Sequence, residues 1–278
     1  MLGAIVGDIV GSRFEFWKIK TTEFELFTDK CFVTDDSIMS LAVGKALMET
    51  EKKKPFLSEG RELDGEYLDL LEKETVKWMQ SIGRRYPACG FGGMFYEWVF
   101  SNNPKPYNSF GNGAAMRISP AGFAARSEAE ARTLAHTITQ TTHNHPEGLK
   151  GAEATAVAIY LARKKWPLPE IKKRLEEYYD LNFTIGEIRP HYYFNETCQE
   201  TVPQALVSFL EAKSFEETIR LAVSLGGDSD TLAAIAGGIA EAYYGVPEEI
   251  KTNALSYLDE YLLSLYNDWE AFLRKLQG

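Results

Sequence analysis

The residues best equipped for chemistry are acidic and come in pairs. Thr34-Asp35-Asp36-Ser37 stands directly before the helically spaced apolar run Ile38, Leu41, Ala42 and Ala46, and Asp228-Ser229-Asp230-Thr231 stands before Leu232, Ala233, Ile235 and Ile239. Asp and Thr oxygens in such places accept the free N–H groups of a first helical turn and suit its dipole, so either segment alone reads as an N-cap. Together they present four carboxylates and two threonines where two caps need only two side chains. Carboxylates a few ångströms apart raise one another's pKa, and a bound cation removes that conflict. Carboxylate and hydroxyl oxygens are hard donors, which points to Mg²⁺, Mn²⁺ or Ca²⁺ rather than zinc or copper. A zinc site would draw on His143, His145 and Glu147, but no third histidine or cysteine lies at ligand spacing.

Two further segments carry polar chemistry. In Asn108-Ser109-Phe110-Gly111-Asn112-Gly113-Ala114-Ala115-Met116-Arg117 the glycines let a backbone approach an anion, ahead of a helix start with free N–H groups. The loop is not a Walker loop, since no Gly-Lys-Ser/Thr follows. Nor is it a dinucleotide fingerprint, because Met116 takes the third glycine position with no strand before it. Thr142-His143-Asn144-His145-Pro146-Glu147 puts a histidine at the mouth of a helix, either in a capped loop or in contact with a ligand.

The elements that must position these groups read as helices almost throughout. Leu255, Leu258, Leu262, Leu265, Trp269, Phe272 and Leu276 recur in steps of three and four, which predicts one apolar stripe on one helix. The stripe covers only about three heptads, so a core-facing helix is expected rather than a dimer zipper. Leu68, Leu71, Thr75, Trp78 and Ile82 repeat the pattern after Asp64; Ser214 with Glu217 predicts a capping box opening a helix through Leu225; Pro146-Glu147 starts another through about Arg163. The alternation Thr22-Glu23-Phe24-Glu25-Leu26 allows one short strand. Irregular stretches are expected at Arg13 to Val33, Lys52 to Glu62, Gly83 to Gly93, Ser101 to Gly113 and Asn182 to Thr197. None is a Ser-, Gly- or Pro-rich linker, so a single all-α domain over 1–278 is the simplest organisation. Gly3, Gly7 and Gly11, and the small residues Ala233, Ala234, Gly237, Gly238 and Ala242, imply two helices that approach backbone to backbone. That approach serves tight packing alone or packing in support of a site, since glycine inside a helix costs about 1 kcal/mol relative to alanine.

Composition narrows the functional classes. The 278 residues carry 30 Lys plus Arg against 40 Asp plus Glu, a net charge of −10, and the longest basic run is Lys52-Lys53-Lys54. Sequence-independent nucleic-acid binding, which needs a basic stripe, is therefore excluded. Cys31, Cys89 and Cys198 are scattered and include no C-x-x-C pair, which argues against a disulfide framework and for a reducing, cytoplasmic setting. The apolar run Met1 to Val10 is interrupted by Asp8, followed by Arg13 and Glu15, and preceded by no basic residue, so neither a signal peptide nor a membrane span is expected.

Five motifs in order resemble the ADP-ribosylglycohydrolase family: G-A-I-V-G-D-I-V-G-S-R-F-E at Gly3 to Glu15, T-D-D-S at Thr34 to Ser37, G-N-G-A-A-M-R at Gly111 to Arg117, T-H-N-H-P-E at Thr142 to Glu147, and G-G-D-S-D-T at Gly226 to Thr231. The resemblance implies a compact, orthogonal multi-helix fold around a binuclear Mg²⁺ centre, with Mn²⁺ as a possible substitute. Its metal ligands would be Thr34, Asp35, Asp36, Asp228, Asp230 and Thr231. Glu15 would be an exchangeable ligand or the base, and the proton-accepting carboxylate would lie among Glu15, Asp36 and Asp228. Ser109, Phe110, Gly111 and Asn112 would line the diphosphate and distal ribose, with His143 helping to hold the ligand. Ser229 stands where many members have threonine, between the ligands. The implied activity is hydrolysis of the bond between ADP-ribose and a modified acceptor, by default protein arginine. A different ADP-ribose linkage (serine, nucleobase or small molecule) and a non-catalytic, crystallin-like role remain the alternatives.

Overall fold

The computed structural model describes residues 1–57 and 62–277. Fifteen helices follow one another among these residues: α1 (Leu2–Ser12), α2 (Asp35–Lys53), α3 (Gly65–Gly83), α4 (Gly93–Phe100), α5 (Gly113–Met116), α6 (Ser119–Ala124), α7 (Glu128–Thr139), α8 (Pro146–Arg163), α9 (Leu168–Leu175), α10 (Ile185–Ile188), α11 (Cys198–Glu211), α12 (Phe215–Val223), α13 (Ser229–Tyr244), α14 (Glu248–Leu255) and α15 (Glu260–Gln277). The all-α expectation holds. Among the described residues the one β-bridge is an isolated antiparallel pairing between Gly111 and Thr197. Lys52 and Lys53 belong to α2, and residues 58–61 of the irregular stretch expected from Lys52 to Glu62 lie outside the described residues.

Helices α1 and α13 form the centre, and glycine makes their approach possible. A Cβ added to Gly3 would stand 2.1 Å from the Gly237 carbonyl oxygen, one on Gly7 2.0 Å from that of Ala233, and one on Gly11 2.4 Å from the Asp230 Cα. Any side chain at these positions would push the helices apart. Every residue of α1 is buried, including Asp8. The last of the three close contacts falls on Asp230, so this packing also fixes one of the acidic segments.

Local sequence explains most boundaries. Asp64 caps α3, its Oδ1 accepting from Tyr67 N at 2.7 Å, and Pro146 opens α8 in the first turn. Three expectations need correction. Thr22 to Leu26 forms no strand: Arg220 Nη1 takes the carbonyls of Thr22 and Phe24 at 3.0 and 2.6 Å in place of a partner strand, and the Phe24 ring packs on Phe14. The C-terminal stripe is divided between α14 and α15, because Asp259 interrupts it and accepts from Leu262 N at 2.8 Å to start a new helix. The stripe does face this chain's own core: Leu258, Leu262, Leu265 and Trp269 are buried, and Trp269 lies against Gly44 of α2. At Ser214 the hydroxyl accepts from Glu217 N at 3.1 Å, but the Glu217 carboxylate takes Lys213 N instead of completing a capping box, and α12 ends at Val223.

Candidate active site

The two acidic segments start α2 and α13 side by side, and the N-cap reading separates them. Thr34 is the N-cap of α2, its hydroxyl accepting from Asp36 N at 3.3 Å. Asp228, the N-cap of α13, makes no side-chain cap bond; its Oδ2 accepts from Asn112 Nδ2 at 2.7 Å instead. The carboxylate that a cap would use faces a cavity of about 560 Å³.

Asp8 ties the segments together. Its Oδ2 accepts from Thr34 N and Ser37 N, both at 3.1 Å, and its Oδ1 accepts from the Thr34 hydroxyl at 2.6 Å. A carboxylate on α1 thus holds the first turn of α2 from outside. Thr231 Oγ1 reaches Asp36 Oδ2 at 3.3 Å, joining α13 to α2. Asp8, Asp36 and Asp230 each offer an oxygen within 4.8 Å of the others, the one metal-capable group among the described residues. Asp8 was not among the ligands expected from sequence. Its signal was there, a single carboxylate in a glycine- and valine-rich helix with no other charge, but that break reads first as evidence against a membrane span.

Burial and mutual repulsion dominate the electrostatics. Burial pushes Asp8 up to about 6, against the pull of hydrogen bonds from Ser37 and Thr34. Asp35 rises to about 7 through burial and then the charge of Asp8. Asp36 and Asp230 lie well above the usual carboxylate range, through burial first and neighbouring aspartates second. Asp228 is raised by burial despite its hydrogen bonds. Glu15, in the turn after α1 and half-buried, is pushed up to about 7 by burial, then by Asp228, Glu196 and Asp8. Asp36 Oδ1 is buried without a hydrogen-bond partner. A buried acceptor so placed is costly unless something positive meets it, and a hard cation fits this all-oxygen donor set.

The opposite wall is the glycine loop, held from two sides. Tyr107 N donates to Thr142 O at 3.1 Å and Asn108 N to Asn144 Oδ1 at 2.8 Å, while Asn112 N donates to Glu196 O and Cys198 N to Phe110 O. Asn108 takes a φ of 54°, which asparagine tolerates. Ser109 Oγ accepts from Gly111 N at 3.1 Å. His143 is buried between Arg117 and Tyr107, its Nδ1 2.9 Å from Arg117 Nη2 and its ring 5.5 Å from that of Tyr107. Burial and the Arg117 charge hold its pKa well below the usual value, so the imidazole is neutral.

The cavity gathers Glu15, Thr34, Asp35, Asp36, Ser109, Gly111, Asn112, His143, Asp228, Asp230 and Thr231 from the sequence expectation. Phe110 does not join them. Its backbone is committed to Cys198, its ring is exposed, and it packs on His145 at 5.2 Å, outside the lining. His145 and Glu147 are equally removed from a zinc role: Glu147 N donates to His145 Nδ1 at 3.1 Å as a helix cap, and Glu147 pairs with Lys150. Arg117 and Tyr107 are additions. Arg117 is 2% exposed, and the Tyr107 hydroxyl is buried without a partner in the cavity wall.

A buried, all-oxygen carboxylate cluster that could hold a hard cation shares one cavity with a glycine loop in this helical fold. The chain belongs to the ADP-ribosylglycohydrolase family, whose model matches residues 1–276, and is a glycoside hydrolase by class. It is 25% identical to ADP-ribosylhydrolase ARH3 of Xenopus tropicalis, covering 100% of this chain and 96% of that protein. It is 24% identical to ADP-ribosylhydrolase ARH3 of Homo sapiens, covering 95% and 90%. To the ADP-ribosyl-dinitrogen reductase glycohydrolase of Rhodospirillum rubrum it is 28% identical, covering 93% and 88%. A solved structure described as an ADP-ribosylglycohydrolase-related protein complex shares the fold, with a TM-score of 0.66 at 24% identity over 99% of this chain and 95% of that one.

Proposed function

We propose that this protein hydrolyses the glycosidic bond between the distal ribose of ADP-ribose and a modified acceptor, with protein arginine as the default acceptor and two Mg²⁺ ions, replaceable by Mn²⁺, at the carboxylate cluster. The observation that carries the reading is the buried, unpartnered Asp36 Oδ1 among Asp8 and Asp230, opposite the pinned glycine loop. Thr34, Asp35, Asp36, Asp228, Asp230 and Thr231 would hold the ions, with Asp8 fixing Thr34 and Ser37 on either side of Asp35 and Asp36. When bound, divalent cations supply charge that orients ribose hydroxyls and makes a water more acidic.

The chain's own residues do the rest. Asn112 fixes Asp228, which lines the cavity, through the 2.7 Å bond to Oδ2. Glu15, raised to about 7 by burial and neighbouring carboxylates in the metal-free protein, forms with Asp36 and Asp228 the set of candidate bases. Ser109, Gly111 and the neutral His143 line the space where the diphosphate and ribose lie in this reading. Cleavage then proceeds through a transition state with oxocarbenium character, water replacing the acceptor at the anomeric carbon. Free Cys31, Cys89 and Cys198 support a reducing, cytoplasmic setting. Among the described residues no helix is long and apolar enough to cross a membrane.

The test is a panel of ADP-ribosylated arginine, serine, nucleic acid and a small-molecule conjugate, each incubated with enzyme and Mg²⁺ and assayed for released ADP-ribose. Release from the arginine conjugate supports the default acceptor, and release from another conjugate alone replaces it. Binding of ADP-ribose without turnover of any conjugate overturns the hydrolase reading.

A further inference from the structure

Arg117 is among the largest fully buried side chains, and among the described residues it makes no ion pair within 4.0 Å, feeling Asp35 and Asp36 only at longer range. Its guanidinium stacks over Phe95 at 4.8 Å, and Nη2 forks to two neutral acceptors, Thr142 Oγ1 and His143 Nδ1, each at 2.9 Å. A guanidinium only donates, so Nδ1 must accept and cannot carry the imidazole proton. Thr142 Oγ1, 2.8 Å from the same nitrogen, accepts from Arg117, and whether its own hydrogen turns to Nδ1 or to Thr139 O at 3.4 Å, Nδ1 is left as an acceptor. The ring proton is therefore on Nε2. That edge points at the glycine loop: a Cβ on Gly113 would stand 3.3 Å from Nε2, and one on Gly111 3.5 Å. Gly111, Gly113, His143 and Arg117 all line the same cavity.

We propose that Arg117 is a positioning residue that, by occupying Nδ1, locks neutral His143 in its Nε2–H tautomer and so gives the cavity one fixed hydrogen-bond donor for an oxygen of bound ADP-ribose. The proposal rests on the functional reading above for the identity of the ligand, but the tautomer it assigns does not depend on that ligand. A donor fixed before binding needs no ordering when the ligand arrives, the advantage of an orienting partner behind a histidine. The carboxylates lining the same cavity only accept once they are ionised.

The test has two arms on the full chain. In the first, imidazole ¹⁵N resonances of histidine-labelled, ligand-free protein are followed from pH 6 to 9. Wild type and Arg117→Lys should show His143 neutral with its proton on Nε2, whereas Arg117→Met should show a mixture of tautomers. A wild-type His143 protonated on Nδ1 overturns the proposal, and the wild-type spectrum decides the point even if the Met variant does not fold. In the second arm, calorimetric titration with ADP-ribose should show about tenfold weaker binding for Arg117→Met, the loss of one oriented hydrogen bond, and no further loss when Arg117→Met is added to His143→Ala. Additive losses would mean that Arg117 acts independently of His143. Absence of ADP-ribose binding to wild type would overturn the functional reading while leaving the tautomer result standing.

Discussion

Asp36 and Asp230 are placed for a cation and against their own stability. Both are buried, both are held well above the usual carboxylate range, and each counts other aspartates among the causes. Replacement by asparagine removes a ligand oxygen and also one member of a repelling cluster. Asp36→Asn and Asp230→Asn are therefore expected to abolish hydrolysis and weaken Mg²⁺ binding while keeping the helical circular dichroism signal. Without metal at pH 8, each is expected to melt a few degrees above metal-free wild type, as roughly 1 kcal/mol of relief would produce in a chain of this size. A melting point below wild type under those conditions would show that the aspartates are bound by partners other than a cation. Much of this was legible in the chain, since a surplus of acidic caps is a local pattern. Asp8 and Arg117 were legible only as an interruption and as the end of a motif. What they do depends on which helix lies behind them, and no spacing encodes that.

At the scale of elements, the α1–α13 contact supports the site from below. Gly7→Ala would put a methyl 2.0 Å from the Ala233 carbonyl oxygen, a backbone atom that cannot step aside. It is expected to destabilise the protein by about 1–3 kcal/mol, read from denaturant melts. Gly11→Ala, against the Asp230 Cα, should weaken Mg²⁺ binding as well, because it displaces a carboxylate of the cluster. Gly65→Ala, where a Cβ meets nothing within 4 Å, is the control and should stay within about 0.5 kcal/mol of wild type. Equal effects at Gly7 and Gly65 would refute the close approach. The glycine spacing announced this contact because it is periodic, whereas helix α8 was legible from Pro146 in its first turn, running to about Arg163 as expected. The break between α14 and α15 escaped because the apolar period runs straight across it; only Asp259, acting as a cap, shows that the backbone restarts. The false strand at Thr22 to Leu26 shows the converse: alternation without a partner strand leaves carbonyls for Arg220 to take.

Across the whole molecule the net charge of −10 divides into a solvated helical surface and a buried knot of carboxylates. The knot makes stability depend on pH with a definite sign. Asp8 and Asp35 rise from 3.8 to about 6 and about 7, so between those limits the folded state holds more protons than the unfolded one. Metal-free stability is then greatest below about pH 4 as far as these groups are concerned, and declines as pH rises toward 7. A divalent cation competes with those protons, so its stabilising effect grows in the same direction. Thermal melts at pH 5 and pH 8, with chelator and with Mg²⁺, should show the larger metal-induced rise at pH 8; a larger rise at pH 5 would contradict the cluster as the binding site.

In the proposed function, the cavity lined by Asp36 and Asp230 beside the buried Asp8 is a cation-dependent centre for hydrolysing ADP-ribose linkages. Its most direct test is the initial rate of ADP-ribose release from an ADP-ribosylated arginine conjugate, measured after exhaustive chelation and again after Mg²⁺ is restored. Chelated enzyme is expected to release no ADP-ribose, and adding Mg²⁺ to restore the full rate. An undiminished rate in excess chelator would contradict the cation-dependent centre.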